Sequence, residues 1–191
     1  MRLPFVLVAL AGAHLPAAAQ LTPPPAATVV VGAVQFSAHA TAGDFTGSTD
    51  AVRGAFSAPA GLASATGHVE ADAATLVTRN DGRDRHLREA LEVERYPLLR
   101  FDVERVTPAG TAGDTTLVML DGSLAIHGVT RPRRVEGRLL AEGAGLRLLA
   151  SIPVSFREFG IRRHLSKFLG LVTVRDAFTA HVDVTFAPPA R

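Results

Sequence analysis

From Val34 onward, apolar side chains recur at every second residue in a series of short stretches. Val34, Phe36 and Ala38 share one parity, and Leu99, Phe101 and Val103 repeat it with Arg100, Asp102 and Glu104 on the other face. Val135, Gly137 and Leu139 continue the pattern. So do Leu146, Leu148, Ala150 and Ile152, and then Phe178, Ala180, Val182, Val184 and Phe186. Side chains of an extended chain alternate between its two sides, so a period of two marks strands with one buried and one wet face. Turn signals punctuate the run at Ala109-Gly110, Ala112-Gly113-Asp114, Asp121-Gly122, Arg131-Pro132 and Glu142-Gly143-Ala144-Gly145. Their spacing, roughly 8 to 15 residues, predicts a sandwich or an up-and-down barrel.

One segment breaks this rhythm. Leu87, Ala90 and Leu91 recur at helical spacing behind a capping-box-like start at Asp81 and Asp84, and Tyr96-Pro97 supplies a stop. The spacing predicts one helix between two groups of strands. Ile161 to Leu169 offers a second helix, with Ile161, Leu165, Phe168 and Leu169 on one face, or equally a long irregular loop.

The first 19 residues have a different pattern. Arg2, an apolar run from Leu3 to Leu15 and Ala17-Ala18-Ala19 before Gln20 follow the order of a secretory signal, and the run is too short to span a membrane. Export to the periplasm or the exterior is the expectation. Residues 20–30, with three consecutive prolines at 23–25, read as an extended linker without a core role, leaving 31–188 as one folded domain.

Composition supports a globular chain: 47% of the 191 residues are hydrophobic, 20% are charged and mean hydropathy is +0.21. The net charge is only +2, which removes the excess expected of a nucleic-acid binder. Its distribution is uneven. Residues 131–175 hold ten basic and three acidic side chains, whereas residues 20–130 hold eight basic and thirteen acidic ones. The basic region predicts contact with an anionic head group or membrane surface, centred on Arg131, Arg133, Arg134, Arg162, Arg163 and Lys167. A solvated basic face accounts for the same count.

The absence of cysteine excludes disulfides, thiolate catalysis and cysteine-ligated metals. No G-x-S-x-G, H-E-x-x-H, Walker A or G-x-G-x-x-G motif occurs, and the histidines lack metal-ligand spacing. The expectation is a protein without catalysis, cofactor or metal. The most polar cluster, Thr78 to Leu87, has two readings. Asp81 or Asp84 caps the helix while Arg83 pairs with a carboxylate, or Arg83 and Asp84 stand at a cavity opening and touch a ligand's polar end.

Gly67-His68-Val69-Glu70, Leu76-Val77-Thr78, Arg83-Asp84-Arg85-His86-Leu87, Tyr96-Pro97-Leu98-Leu99-Arg100-Phe101 and the run from Gly122 to Pro132 follow one another in an order that resembles the YceI-like family. Phe156-Arg157-Glu158-Phe159-Gly160-Ile161 and Val174-Arg175-Asp176 resemble its later landmarks. The resemblance implies an all-β fold, an extended antiparallel eight-stranded lipocalin-like barrel with one short helix between strands. It also implies an exported binding protein that holds a long-chain amphiphile, a polyisoprenoid or fatty-acid derivative. A secreted structural or protein-interaction barrel with no small ligand is the alternative.

On the binding reading, one long chain lies against Phe36, Leu76, Leu87, Phe101, Leu124, Ile126 and Phe178, with Arg83 and Asp84 as candidates for its polar end. Parity turns Phe36, Phe101 and Phe178 inward, and helical phase turns Leu87 toward the barrel. Ala38, Ala71, Ala125, Gly137, Ala150 and Ala180 are the small positions expected to leave room for one continuous tunnel.

Overall fold

The computed structural model describes residues 21–41, 43–161 and 174–189. Nine strands form one antiparallel sheet: β1 (Ala26–Ala38), β2 (Phe45–Thr49), β3 (Val52–Ser57), β4 (Thr66–Asp72), β5 (Leu98–Ala112), β6 (Thr115–Ile126), β7 (Val129–Glu142), β8 (Gly145–Ser155) and β9 (Ala177–Ala187). β1 pairs with β9 along most of its length and thereby closes the sheet on itself. Its other edge pairs with β3 through residues 26–28 and with β2 through residues 34–38. Both pairings keep one register, so β2 and β3 are halves of a single strand position interrupted at Asp50 and Ala51. The barrel therefore has eight positions.

The period of two is plainest in β6, where Val118, Leu120, Gly122, Leu124 and Ile126 are all buried and the residues between them are half-exposed. β7 repeats the pattern with Val135, Gly137 and Leu139, and β8 with Leu146, Leu148, Ile152 and Val154. These inward faces make the core, while α1 (Asp81–Leu91) packs over one end.

Several expectations need correction. The linker expected over 20–30 gives way to strand at Ala26, with Ala27 only 2% exposed and Pro23 buried. Closure needs a strand between β9 and β3, and the apolar stretch that follows the prolines supplies it. Asp121-Gly122 and Arg131-Pro132 are not turns but lie inside β6 and β7; the connecting turn is His127-Gly128, both at positive φ. Gly122 has a different reason: a Cβ there would sit 1.9 Å from the carbonyl oxygen of Asp102, where β5 bulges toward it. Pro132 is tolerated because β7 pairs with β8 only over residues 137–142, so no ladder bond to β8 is lost at 132. Pro108 in β5 and Pro153 in β8 likewise lie on stretches with a single neighbour.

α1 is capped by Asn80, whose Oδ1 accepts from the Arg83 amide at 2.9 Å, rather than by Asp81 or Asp84. It ends at Leu91, ahead of the expected stop, where Glu92 adopts the left-handed conformation. The secretory segment 1–19, and the second helix beyond Ile161, fall outside the described residues.

Candidate functional site

At the end under α1, the barrel interior narrows to an apolar cavity of about 70 Å³. Five strands supply its walls: β1 through Phe36, β5 through Leu99, β6 through Leu124 and Ile126, β8 through Ile152 and Val154, and β9 through Phe178 and Ala180. Leu87 and Leu91 reach it from α1, four residues apart and so on one helical face. Leu76 closes the near side, and Phe156, Phe159 and Ile161 close the far side from the 3-10 turn that follows β8. Every lining residue is apolar.

The aromatic rings interlock. Phe36 stands edge-on to Phe45 and Phe178 with centroids 6.1 and 6.0 Å apart, and Phe178 lies 4.5 Å from Phe156. Gly47, directly across from Phe36, makes room for its ring, since a Cβ there would come within 2.3 Å of Cε1.

Two polar clusters fix the roof. At its start, the buried Asp84 carboxylate accepts from the amide of Thr78 at 2.7 Å and from the Thr78 hydroxyl. Arg83 donates to the Thr78 hydroxyl and carbonyl, each at 2.7 Å, and its guanidinium lies 4.4 Å from the centre of the Phe45 ring. The Val77 backbone in turn pairs with Ser48 of β2. At the other end His127 bridges Glu92 Oε1, at 3.0 Å from Nε2, and the carbonyl of Phe159, at 3.1 Å from Nδ1. His127 thus joins the end of the helix to the turn that carries Phe159.

Phe36, Leu76, Leu87, Leu124, Ile126 and Phe178, expected from the sequence to act together, do surround this one cavity. Phe101 does not line it. Arg83 and Asp84 turn toward Thr78 and Phe45 instead of a cavity opening, so the geometry supports their structural role. Ala125 is corrected: it lies between the inward Leu124 and Ile126, pairs with Arg100, and faces out. Sequence reasoning assigned no lining role to Phe156, Phe159 and Ile161, because an irregular segment has no period to reveal which side chains turn inward.

A second cavity of about 60 Å³ occupies the opposite end of the interior, lined chiefly by Phe56, Val69, Val103, Leu120, Leu148 and Phe186. Pro23, Leu62 and Ala65 close that end. The continuous tunnel expected from the small residues is therefore replaced by two separate cavities. No residue lines both.

Of the basic residues expected at the cavity mouth, Arg131 donates to the Glu158 carbonyl at 3.1 Å and Arg133 pairs with the Glu158 carboxylate. The Arg133 guanidinium lies 5.6 Å from the centre of the Phe159 ring, beside the stretch where β7 and β8 no longer pair. Arg134 turns to Asp121 on β6, while Arg162, Arg163 and Lys167 lie outside the described residues.

On the outer face of β3, β4 and β5 the register aligns Arg53, Glu70 and Arg100, and Arg100 also holds Asp102. Burial pushes the Glu70 carboxyl up, but hydrogen bonds and charge from Arg100 and Arg53 outweigh it and hold the group below its ordinary value. The Arg100 hydrogen bond lowers Asp102 against its own burial, and Arg147 lowers Asp183 in the same way. Glu70 and Asp183 are paired across strands and Asp102 along its own strand, and all three lie away from both cavities.

Comparison with known proteins agrees with this architecture. BcnA of Burkholderia cenocepacia superposes with a TM-score of 0.68 at 16% identity, covering 81% of this chain and 95% of that one. A polyisoprenoid binding domain from Saccharophagus degradans gives 0.70 at 14% identity, covering 86% and 99%. At such identities the likeness carries the fold. A UPF0312 protein of Pseudomonas paraeruginosa is 31% identical over 96 residues, 46% of this chain and 48% of that protein, so the match spans about half the relative's length. The family model for the YceI-like domain matches residues 25–186, from just before β1 to the last core side chain of β9, and the chain belongs to that family.

Proposed function

We propose that this protein binds, without catalysis, the apolar chain of a long-chain amphiphile, polyisoprenoid or fatty-acyl, inside its barrel. The observation that carries the reading is the cavity under α1, inside the eight-position barrel and lined by apolar side chains alone. Such a lining offers no group for covalent or acid–base chemistry but rewards chain burial by about 0.8 kcal/mol per methylene. The polyisoprenoid binding domain that shares the fold supports the same ligand class. Residues 1–19 support export, and Arg131 and Arg133 beside Phe159 support an anionic head group or membrane surface at this end.

One observation favours a second reading. Ligand pockets typically enclose about 300–1,000 Å³, and a cavity of about 70 Å³ is far smaller. A chain enters only by displacing side chains that now fill the interior. If none moves, the barrel is a packed module that acts through its surface. Mass spectrometry of organic extracts from the purified protein separates the two. The binding reading expects a stoichiometric isoprenoid or acyl species. Protein that carries no lipid and takes up no fluorescent long-chain probe overturns it and leaves the packed module.

A further inference from the structure

The two interior cavities share no residue, yet they draw on the same strands. On β5 the inward series is Leu99, Phe101, Val103: Leu99 lines the cavity under α1, Val103 lines the far one, and Phe101 between them lines neither. Leu124 and Val69, the residues paired with Phe101 on its two flanks, belong to opposite cavities. β8 divides in the same way, with Ile152 and Val154 on one side and Leu146 and Leu148 on the other.

In a ring of eight positions β5 and β9 stand four apart, so Phe101 faces β9 across the interior. On β9 the completely buried Val184, which lines neither cavity, pairs with Gly32 of β1. A Cβ on Gly32 would lie 2.9 Å from Val52 Cβ and 3.1 Å from Val184 Cγ1, which shows how tightly that side of the layer is filled.

We infer that the far cavity is a second apolar compartment and that Phe101 is the partition that sets how long a chain the protein accepts. This rests on the chain-binding reading above. A chain entering under α1 gains contacts until its end meets the Phe101 ring, and further methylenes add nothing. With the ring removed, the same chain continues toward Val103 and Leu120.

The test is a titration of wild type, Phe101→Leu and Phe101→Ala with saturated fatty acids of increasing even chain length, alongside thermal melting to confirm folding. In wild type, affinity rises by about fourfold per methylene, the fold-change equivalent of 0.8 kcal/mol, and then levels off. Phe101→Ala moves that plateau to longer chains, and Phe101→Leu moves it less in the same direction. Adding Ala65→Leu, which fills the far compartment, to Phe101→Ala draws the plateau back. A wild-type plateau that neither substitution moves, or a wild-type affinity that rises steadily through every length, overturns the partition while leaving chain binding intact. Failure of wild type to bind any chain overturns chain binding itself.

Discussion

Replacing Asp84 with alanine removes the acceptor that ties α1 to the end of β2. Asp84 and Thr78 are 6% and 5% exposed, so water cannot take over when the carboxylate goes. Two donors lose their partner, the Thr78 amide at 2.7 Å and the Thr78 hydroxyl. Leaving a buried donor unsatisfied costs about 1–3 kcal/mol, which puts Asp84→Ala, with two such donors, at about 2–6 kcal/mol. In a domain of this size 1 kcal/mol shifts the melting midpoint by about 2–4 °C, so the midpoint falls by about 4–24 °C in a circular-dichroism melt. Both donors reach the same oxygen, Oδ1, so Asp84→Asn keeps an acceptor for both and loses much less. In a Thr78→Val background, with the hydroxyl already gone, Asp84→Ala costs less than it does alone. A variant that melts within 2 °C of wild type (about 1 kcal/mol or less) would refute the structural account and return Asp84 to the candidates for ligand contact.

The Glu70–Arg100–Asp102 row makes stability depend on acid. Both carboxyls sit below their ordinary values in the folded chain, so the unfolded chain binds more protons near pH 4. The contribution is complete above that range and disappears as pH falls through the folded values. Urea midpoints should therefore drop below about pH 4, and the drop should be shallower in Glu70→Gln; an equal drop would place the acid sensitivity elsewhere. Phe159→Ala, at a side chain with 0% exposure, should cost about 3–5 kcal/mol in denaturant unfolding. Gly47→Ala should cost about 1–3 kcal/mol by pressing on the Phe36 ring, and a neutral result would show that the ring has space to move. Vesicles containing phosphatidylglycerol should retain the protein better than phosphatidylcholine vesicles at low salt, with the difference lost as salt screens the basic region.

How much was legible in the sequence depended on whether a short-range rule applied. Strand faces were legible because alternation is local: Phe36, Phe101, Leu148 and Val184 turn inward as their parity requires. The helix was legible from the 87, 90, 91 spacing. Ala125 was misplaced because its small size was read as a sign of a tunnel, whereas parity with Leu124 and Ile126 already put it outside. Its neighbour in sequence, not its size, decides its face.

The alternating pattern was enough to determine an all-β domain with one helix, a sandwich or a barrel, since it rests on interactions within a few residues; the choice of a barrel came from the resemblance to the YceI-like family. Only the tertiary structure decided the rest. Pro132 lies inside a strand because β8 has already diverged from β7, which depends on residues about twenty positions away. Asp84 turns to Thr78 because the fold brings Thr78 over it. The interior holds two cavities that share no lining residue, with Leu99 in one, Val103 in the other and Phe101 between them in neither, an arrangement that exists only in a ring closed by the pairing of β1 with β9. Which side chains oppose each other across a barrel depends on strand count and register, and no local period in the chain records either.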